Sequence, residues 1–101
     1  MDIKEIEKRI VNFANKRVAA EESELLPELS FIHLTEEVGE VARQLFNKKV
    51  RPNLFNKANL KEEIVDVILE AILLANLCEV DLDENIRQKL DALFKRYDFS
   101  E

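Results

Sequence analysis

Apolar residues recur at helical spacing along nearly the whole chain, in four separate segments. In residues 3 to about 20, Ile3, Ile6, Ile10, Phe13 and Ala14 fall on one stripe, with Lys4, Glu7, Lys8 and Lys16 away from it. The polar run Glu21-Glu22-Ser23-Glu24 ends that segment. Pro27 fits the first turn of the next helix, where a missing N–H costs nothing. This second helix is predicted from about Glu28 to Asn47, with Leu29, Ile32, Val38, Val41 and Leu45 as its apolar positions. Pro52 closes the region, because the residue before proline avoids the right-handed helical conformation. That leaves Arg51 to Asn56 as a loop. Asn59 with Glu62 resembles a capping box and opens a third helix, about Leu60 to Glu79. Asp81 and Glu84 repeat the pattern before a fourth, about Leu82 to Tyr97, whose stripe holds Ile86, Leu90, Leu93, Phe94 and Tyr97. No strand-like alternation of useful length is present. The pattern predicts one all-α domain over residues 1–101, a protomer resembling a four-helix bundle.

The third segment is exceptional. After Asp66, Val67, Ile68, Leu69, Ala71, Ile72, Leu73, Leu74, Ala75, Leu77 and Cys78 leave it hydrophobic on every side, and such a helix is buried on every side. Three other helices of a 101-residue chain can hardly cover it, so a homo-oligomer, dimer or tetramer, is expected with this helix at the interface. Cys78 is expected in the core. One cysteine excludes an internal disulfide and suits a reducing, cytoplasmic location. The charged N-terminal stretch lacks an apolar h-region, so no signal peptide is expected, and the longest apolar tract is too short to span a bilayer.

Charge adds the chemistry. Glu37 and Glu40 lie one helical turn apart, as do Glu63 and Asp66, so each pair shares a helix face. Packed side by side, the two helices would gather four carboxylates next to apolar stripes. Crowded, partly desolvated carboxylates repel one another, and a hard cation relieves both costs. All-oxygen ligands suit Mg²⁺, Mn²⁺ or Ca²⁺ rather than zinc. The competing reading is two solvated acidic faces. The net charge of −6, from 21 acidic and 15 basic residues, disfavours nucleic acid as a partner. Between the two acidic pairs the sign reverses: residues 41–61 hold Arg43, Lys48, Lys49, Arg51, Lys57 and Lys61 and no acid. Lys48 and Lys49 suit a helix C-terminus, and the segment also suits a phosphate-rich ligand.

Glu36-Glu37-Val38-Gly39-Glu40 followed by Glu63-Ile64-Val65-Asp66 resembles the Glu-Glu-x-x-Glu and Glu-x-x-Asp motifs of the MazG-like, all-α nucleoside triphosphate pyrophosphohydrolases. The likeness continues through Leu74-Ala75-Asn76, Asp81-Leu82, Lys89 and Arg96-Tyr97, although Ala92 and Leu93 stand where many members have Lys-Asn. The tryptophan some members place around the base is missing. The resemblance implies hydrolysis of an NTP or dNTP to the monophosphate and pyrophosphate. It implies Mg²⁺, with Mn²⁺ as a substitute, on Glu37, Glu40, Glu63 and Asp66, and Lys89 among the substrate contacts.

The remaining site residues each carry two readings. Glu36 either holds or deprotonates the attacking water, or binds a second metal, or is a surface glutamate. Glu70, the lone acid of the apolar tract, reaches a second metal or a substrate hydroxyl, or pairs with a basic side chain. His33, the only histidine, contacts base or sugar or is structural. Lys48, Lys49, Arg51 and Lys57 are the candidate phosphate contacts of the basic segment. Gly39, the only glycine, suggests a close approach by another helix or by substrate. Phosphoribosyl-ATP pyrophosphohydrolase ranks lower, because it typically follows its motif Asp with Tyr-His where this chain has Val67-Ile68. A non-catalytic helical module with vestigial acids is the alternative from another class. A di-iron bundle lacks its Glu-x-x-His motifs.

Overall fold

A computed structural model describes all residues, 1–101, as helices joined by short connections, with no strand. The helices are α1 (Ile3–Ala20), α2 (Pro27–Val50), α3 (Lys57–Leu77) and α4 (Leu82–Arg96), with a single 3₁₀ turn at Pro52–Leu54. The Asp2 side chain accepts from the Glu5 N–H at 2.8 Å and starts α1, and Asp81 does the same for Glu84 at 3.2 Å to start α4. α2 runs a turn further than its expected end at Asn47, because only the residue directly before Pro52 is barred from helical geometry. α3 starts earlier than Leu60. Its cap is Asn56, not Asn59: the Asn56 side chain accepts from the Asn59 N–H at 3.1 Å. Both asparagines satisfy the cap pattern, and the local sequence does not distinguish them.

α1, α3 and α4 end alike. In each, a residue in the left-handed region follows the cap: Glu22 at φ 53°, Glu79 at φ 59° and Asp98 at φ 55°. The next N–H reaches back to a carbonyl five residues earlier, as from Val80 to Ala75 at 2.9 Å. This is the Schellman closure that glycine normally favours, made here by acidic residues in a chain with one glycine.

α2 and α3 form the main packed pair, α1 lies on α3, and α4 rests on the edge of α1. The buried residues are few: Ala14, Ile72 and Leu73, with the polar Ser30 and Gln44. Of the expected apolar positions of α2, only Val41 lies on the face that meets α3. Ser30, Leu34, Glu37, Val41, Gln44 and Asn47 occupy that face, while Ile32, Val38 and Leu45 are 50%, 50% and 51% exposed. Along α3, Val65 and Ile68 are also about half exposed, and Cys78, at the C-cap rather than in a core, is exposed. The radius of gyration is 16.6 Å, against about 13 Å for a compact domain of 100 residues. The accessible surface is 7967 Å², whereas the scaling law gives about 5,900 Å² for a folded chain of this mass. No helix is long and apolar enough to cross a membrane.

Candidate functional site

Two hydrogen bonds tie α2 to α3 in one antiparallel register. The Ser30 hydroxyl donates to Glu70 Oε1 at 3.0 Å, and the Asn56 N–H donates to Gln44 Oε1 at 3.1 Å. Seven residues on from Ser30 and seven back from Glu70 stand Glu37 and Glu63, which the shared register brings level. Each has one carboxylate oxygen, Oε2, shut off from solvent with no hydrogen-bond partner. Burial raises the Glu37 carboxyl above its ordinary value, and the negative charges of Glu40, Asp66 and Glu70 push it the same way.

Glu40 and Asp66, the outer members of the two pairs, are exposed. No three acidic or histidine side chains converge as a ready metal-ligand cluster. One oxygen of each inner carboxylate is shielded, and the outer two carboxylates stand in water. The donor set fits a hard divalent cation: it is all oxygen, and the two orphaned Oε2 atoms need a positive partner that the chain does not supply.

Glu37 and Asp66, but not Glu40 or Glu63, border a cavity of about 710 Å³, within the usual range for small-molecule sites. His33 and Glu37 line it from α2, and Asp66 and Glu70 from α3. Glu70 is paired with neither Arg nor Lys; its partner is the buried Ser30 hydroxyl. Glu36 is exposed and does not line the cavity. Neither do Lys48, Lys49, Arg51, Lys57 or Lys89. Lys48 lies eight residues beyond Glu40, about 12 Å along the helix, with its ammonium 5.7 Å from the Phe55 ring centroid. The Arg51 guanidinium lies 5.9 Å from that of Phe46. The expected close approach at Gly39 is absent within the chain: a Cβ built there meets nothing within 4 Å.

The third wall belongs to α1, which sequence reasoning assigned only to packing. Arg9, Phe13 and Arg17 line the cavity, and Phe13 is 57% exposed. The available signal was positional: Arg17 continues the Ile6-Ile10-Phe13-Ala14 stripe at its next turn, where an apolar residue was due.

A search of curated proteins gives no match. The sequence model of the MazG nucleotide pyrophosphohydrolase domain matches residues 26–98. That segment runs from the N-cap of α2 past the end of α4 and takes in both acidic pairs. By this match the chain belongs to the MazG nucleotide pyrophosphohydrolase domain family, whose members are hydrolases.

Proposed function

We propose that the chain hydrolyses a nucleoside or deoxynucleoside triphosphate to the monophosphate and pyrophosphate, with Mg²⁺, or Mn²⁺ in its place, on Glu37, Glu40, Glu63 and Asp66. The observation that carries this reading is the level pair of shielded, unpartnered Oε2 atoms on Glu37 and Glu63. Unpaired buried carboxylate oxygens cost stability, and a resident cation explains why they are kept. Dependence on a divalent metal is general in the family. When bound, the cation neutralises these carboxylates and stabilises the charge that develops on phosphoryl oxygens.

The chain's own groups do the rest. Glu37 and Glu63 would hold the cation through their shielded oxygens, with the exposed Glu40 and Asp66 as its further ligands. A water oxygen bonds to the α-phosphorus as the bond from that phosphorus to the bridging oxygen breaks, and pyrophosphate leaves. The water's proton passes to solvent or to Glu36, which stands exposed one position before Glu37 and outside the cavity lining. The Ser30 hydroxyl fixes Glu70, whose free acceptor sites suit a sugar hydroxyl. His33, one turn before Glu37, borders the same cavity and contacts the base or sugar.

The same reading includes self-association as a homodimer or homotetramer. The protomer carries about 2,000 Å² more surface than a folded chain of its mass needs. Half-exposed Ile32, Val38, Leu45 and Ile68 account for part of that excess. Obligate interfaces bury areas of this order.

The test is a panel of nucleotides with Mg²⁺, assayed separately for pyrophosphate and orthophosphate. Pyrophosphate is expected from at least one nucleotide and is expected to vanish in Glu40→Gln. Orthophosphate as the first product, or no release from any nucleotide by folded protein, overturns the activity. Sedimentation as a monomer at micromolar concentration overturns the assembly.

A further inference from the structure

The cavity holds an imbalance that the family match does not address, because α1 lies outside the matched residues. Three carboxylates line it, Glu37, Asp66 and Glu70, together with two guanidinium groups, Arg9 and Arg17. Yet neither arginine forms an ion pair: the only salt bridges in the chain join Asp83 to Lys4 and to Arg87. Two free cations facing a carboxylate wall are arranged for a ligand that is itself bipolar, a metal-bound anion.

The helix register separates the two arginines. Asn76 Nδ2 on α3 donates to Glu7 Oε1 on α1 at 2.7 Å. Earlier on α1, Lys4 pairs with Asp83, beyond the end of α3, at 3.9 Å. The helices therefore run antiparallel. Ten residues on from Glu7 is Arg17, and ten residues back from Asn76 is Asp66; both line the cavity. Arg9 lies two turns away, about 12 Å along α1, where its guanidinium meets the Met1 sulfur at 3.7 Å. Arg17 is half-buried, with its guanidinium 5.9 Å from the Phe13 ring centroid. An aromatic face steadies the group without neutralising it, and its fork remains available for two phosphate oxygens.

We propose that Arg17, lining the same cavity as Asp66 and steadied by Phe13, is the residue that takes the phosphate oxygens of the bound nucleotide, in place of the basic segment of residues 41–61. This rests on the function proposed above for its choice of ligand. Arg17 is a binding residue; Phe13 is a positioning residue for it.

The test measures equilibrium binding of inorganic pyrophosphate with Mg²⁺ by calorimetry. Wild type, Arg17→Ala, Arg17→Lys and the double variant Lys48→Ala/Lys49→Ala are compared, each checked for fold by circular dichroism. Arg17→Ala is expected to weaken binding at least tenfold. Arg17→Lys, which keeps the charge and loses the fork, is expected to fall between. The double lysine variant is expected to bind as wild type, and the salt dependence is expected to flatten only in Arg17→Ala. Wild-type affinity in Arg17→Ala, an equal loss in the lysine variant, or no binding by wild type overturns the proposal. The two readings fail separately. Arg17-dependent pyrophosphate binding without turnover of any nucleotide sinks the activity and keeps Arg17. Turnover with Arg17→Ala unaffected does the reverse.

Discussion

Glu37→Gln separates the stability of this protein from its chemistry. In wild type the Glu37 Oε2 is shielded and unpartnered, and burial with three neighbouring acids raises the carboxyl above its ordinary 4.5. A buried unsatisfied group costs about 1–3 kcal/mol. The amide keeps the shape, removes the charge and offers N–H donors to Glu40 and Asp66. Without metal at pH 7, Glu37→Gln is therefore expected to be more stable by about 1–2 kcal/mol, at about 4–8 °C in Tm for each kcal/mol in a chain of this size. The pH dependence follows in sign. A carboxyl whose folded pKa is raised binds more protons when folded than when unfolded, so stability falls as pH rises from about 4.5 through the raised value, then levels. The variant lacks that decline, and its advantage is expected to vanish below the unfolded pKa. Adding Mg²⁺ reverses the ranking, since ligand at a hundred times its Kd adds about 2.7 kcal/mol to wild type and the variant lacks one ligand. The assay is urea unfolding at fixed protein concentration, with EDTA or Mg²⁺, across pH 4 to 8. A variant less stable than wild type in EDTA at pH 7, or one that Mg²⁺ stabilises equally, refutes the reasoning.

Other substitutions probe the frame that holds the site. Ser30→Ala removes the hydroxyl that donates to Glu70 at 3.0 Å; a loss of about 1–2 kcal/mol is expected, and a double-mutant cycle with Glu70→Leu, which has no acceptor, should give clear coupling. Additive losses would show that the bond carries no energy. Gln44→Leu leaves the Asn56 N–H without its acceptor at the start of α3, so destabilisation of about 1–3 kcal/mol is expected in chemical denaturation; a neutral outcome would show that water replaces the amide. Glu79→Gly relieves a side chain held at φ 59° and should raise stability by about 1 kcal/mol, with a fall in Tm as the contrary result. Gly39→Ala, with nothing within 4 Å of the new Cβ, is expected to add up to about 1 kcal/mol and to leave pyrophosphate release unchanged. Loss of activity there would mean that substrate or a second copy approaches Gly39.

Much of this protein was legible in one dimension because helices are local. The 3.6-residue spacing of Ile3, Ile6 and Ile10, Pro27 at a first turn and Asp81 before Glu84 are decided by neighbours three or four residues apart. Both acidic motifs were legible for the same reason. Where two local solutions were equally good, as with Asn56 and Asn59, sequence did not discriminate, and the Gln44 amide on α2 helps to hold the choice by accepting the Asn56 N–H. Which face of α2 meets α3 was a tertiary decision. Ser30 and Gln44 are buried there because each has a partner on the neighbouring helix or its cap, and Leu29, Ile32, Val38 and Leu45 are left outward. The register that sets Glu37 level with Glu63, and the packing that brings Arg17 to the cavity Asp66 lines, depend on hydrogen bonds and ion pairs between residues 12 to 79 positions apart. The sequence alone determined the helices and the carboxylate chemistry. Only the packing of three helices decided which carboxylate oxygens lose their water and which cations share the cavity with them, because desolvation and facing charge are properties of neighbours in space.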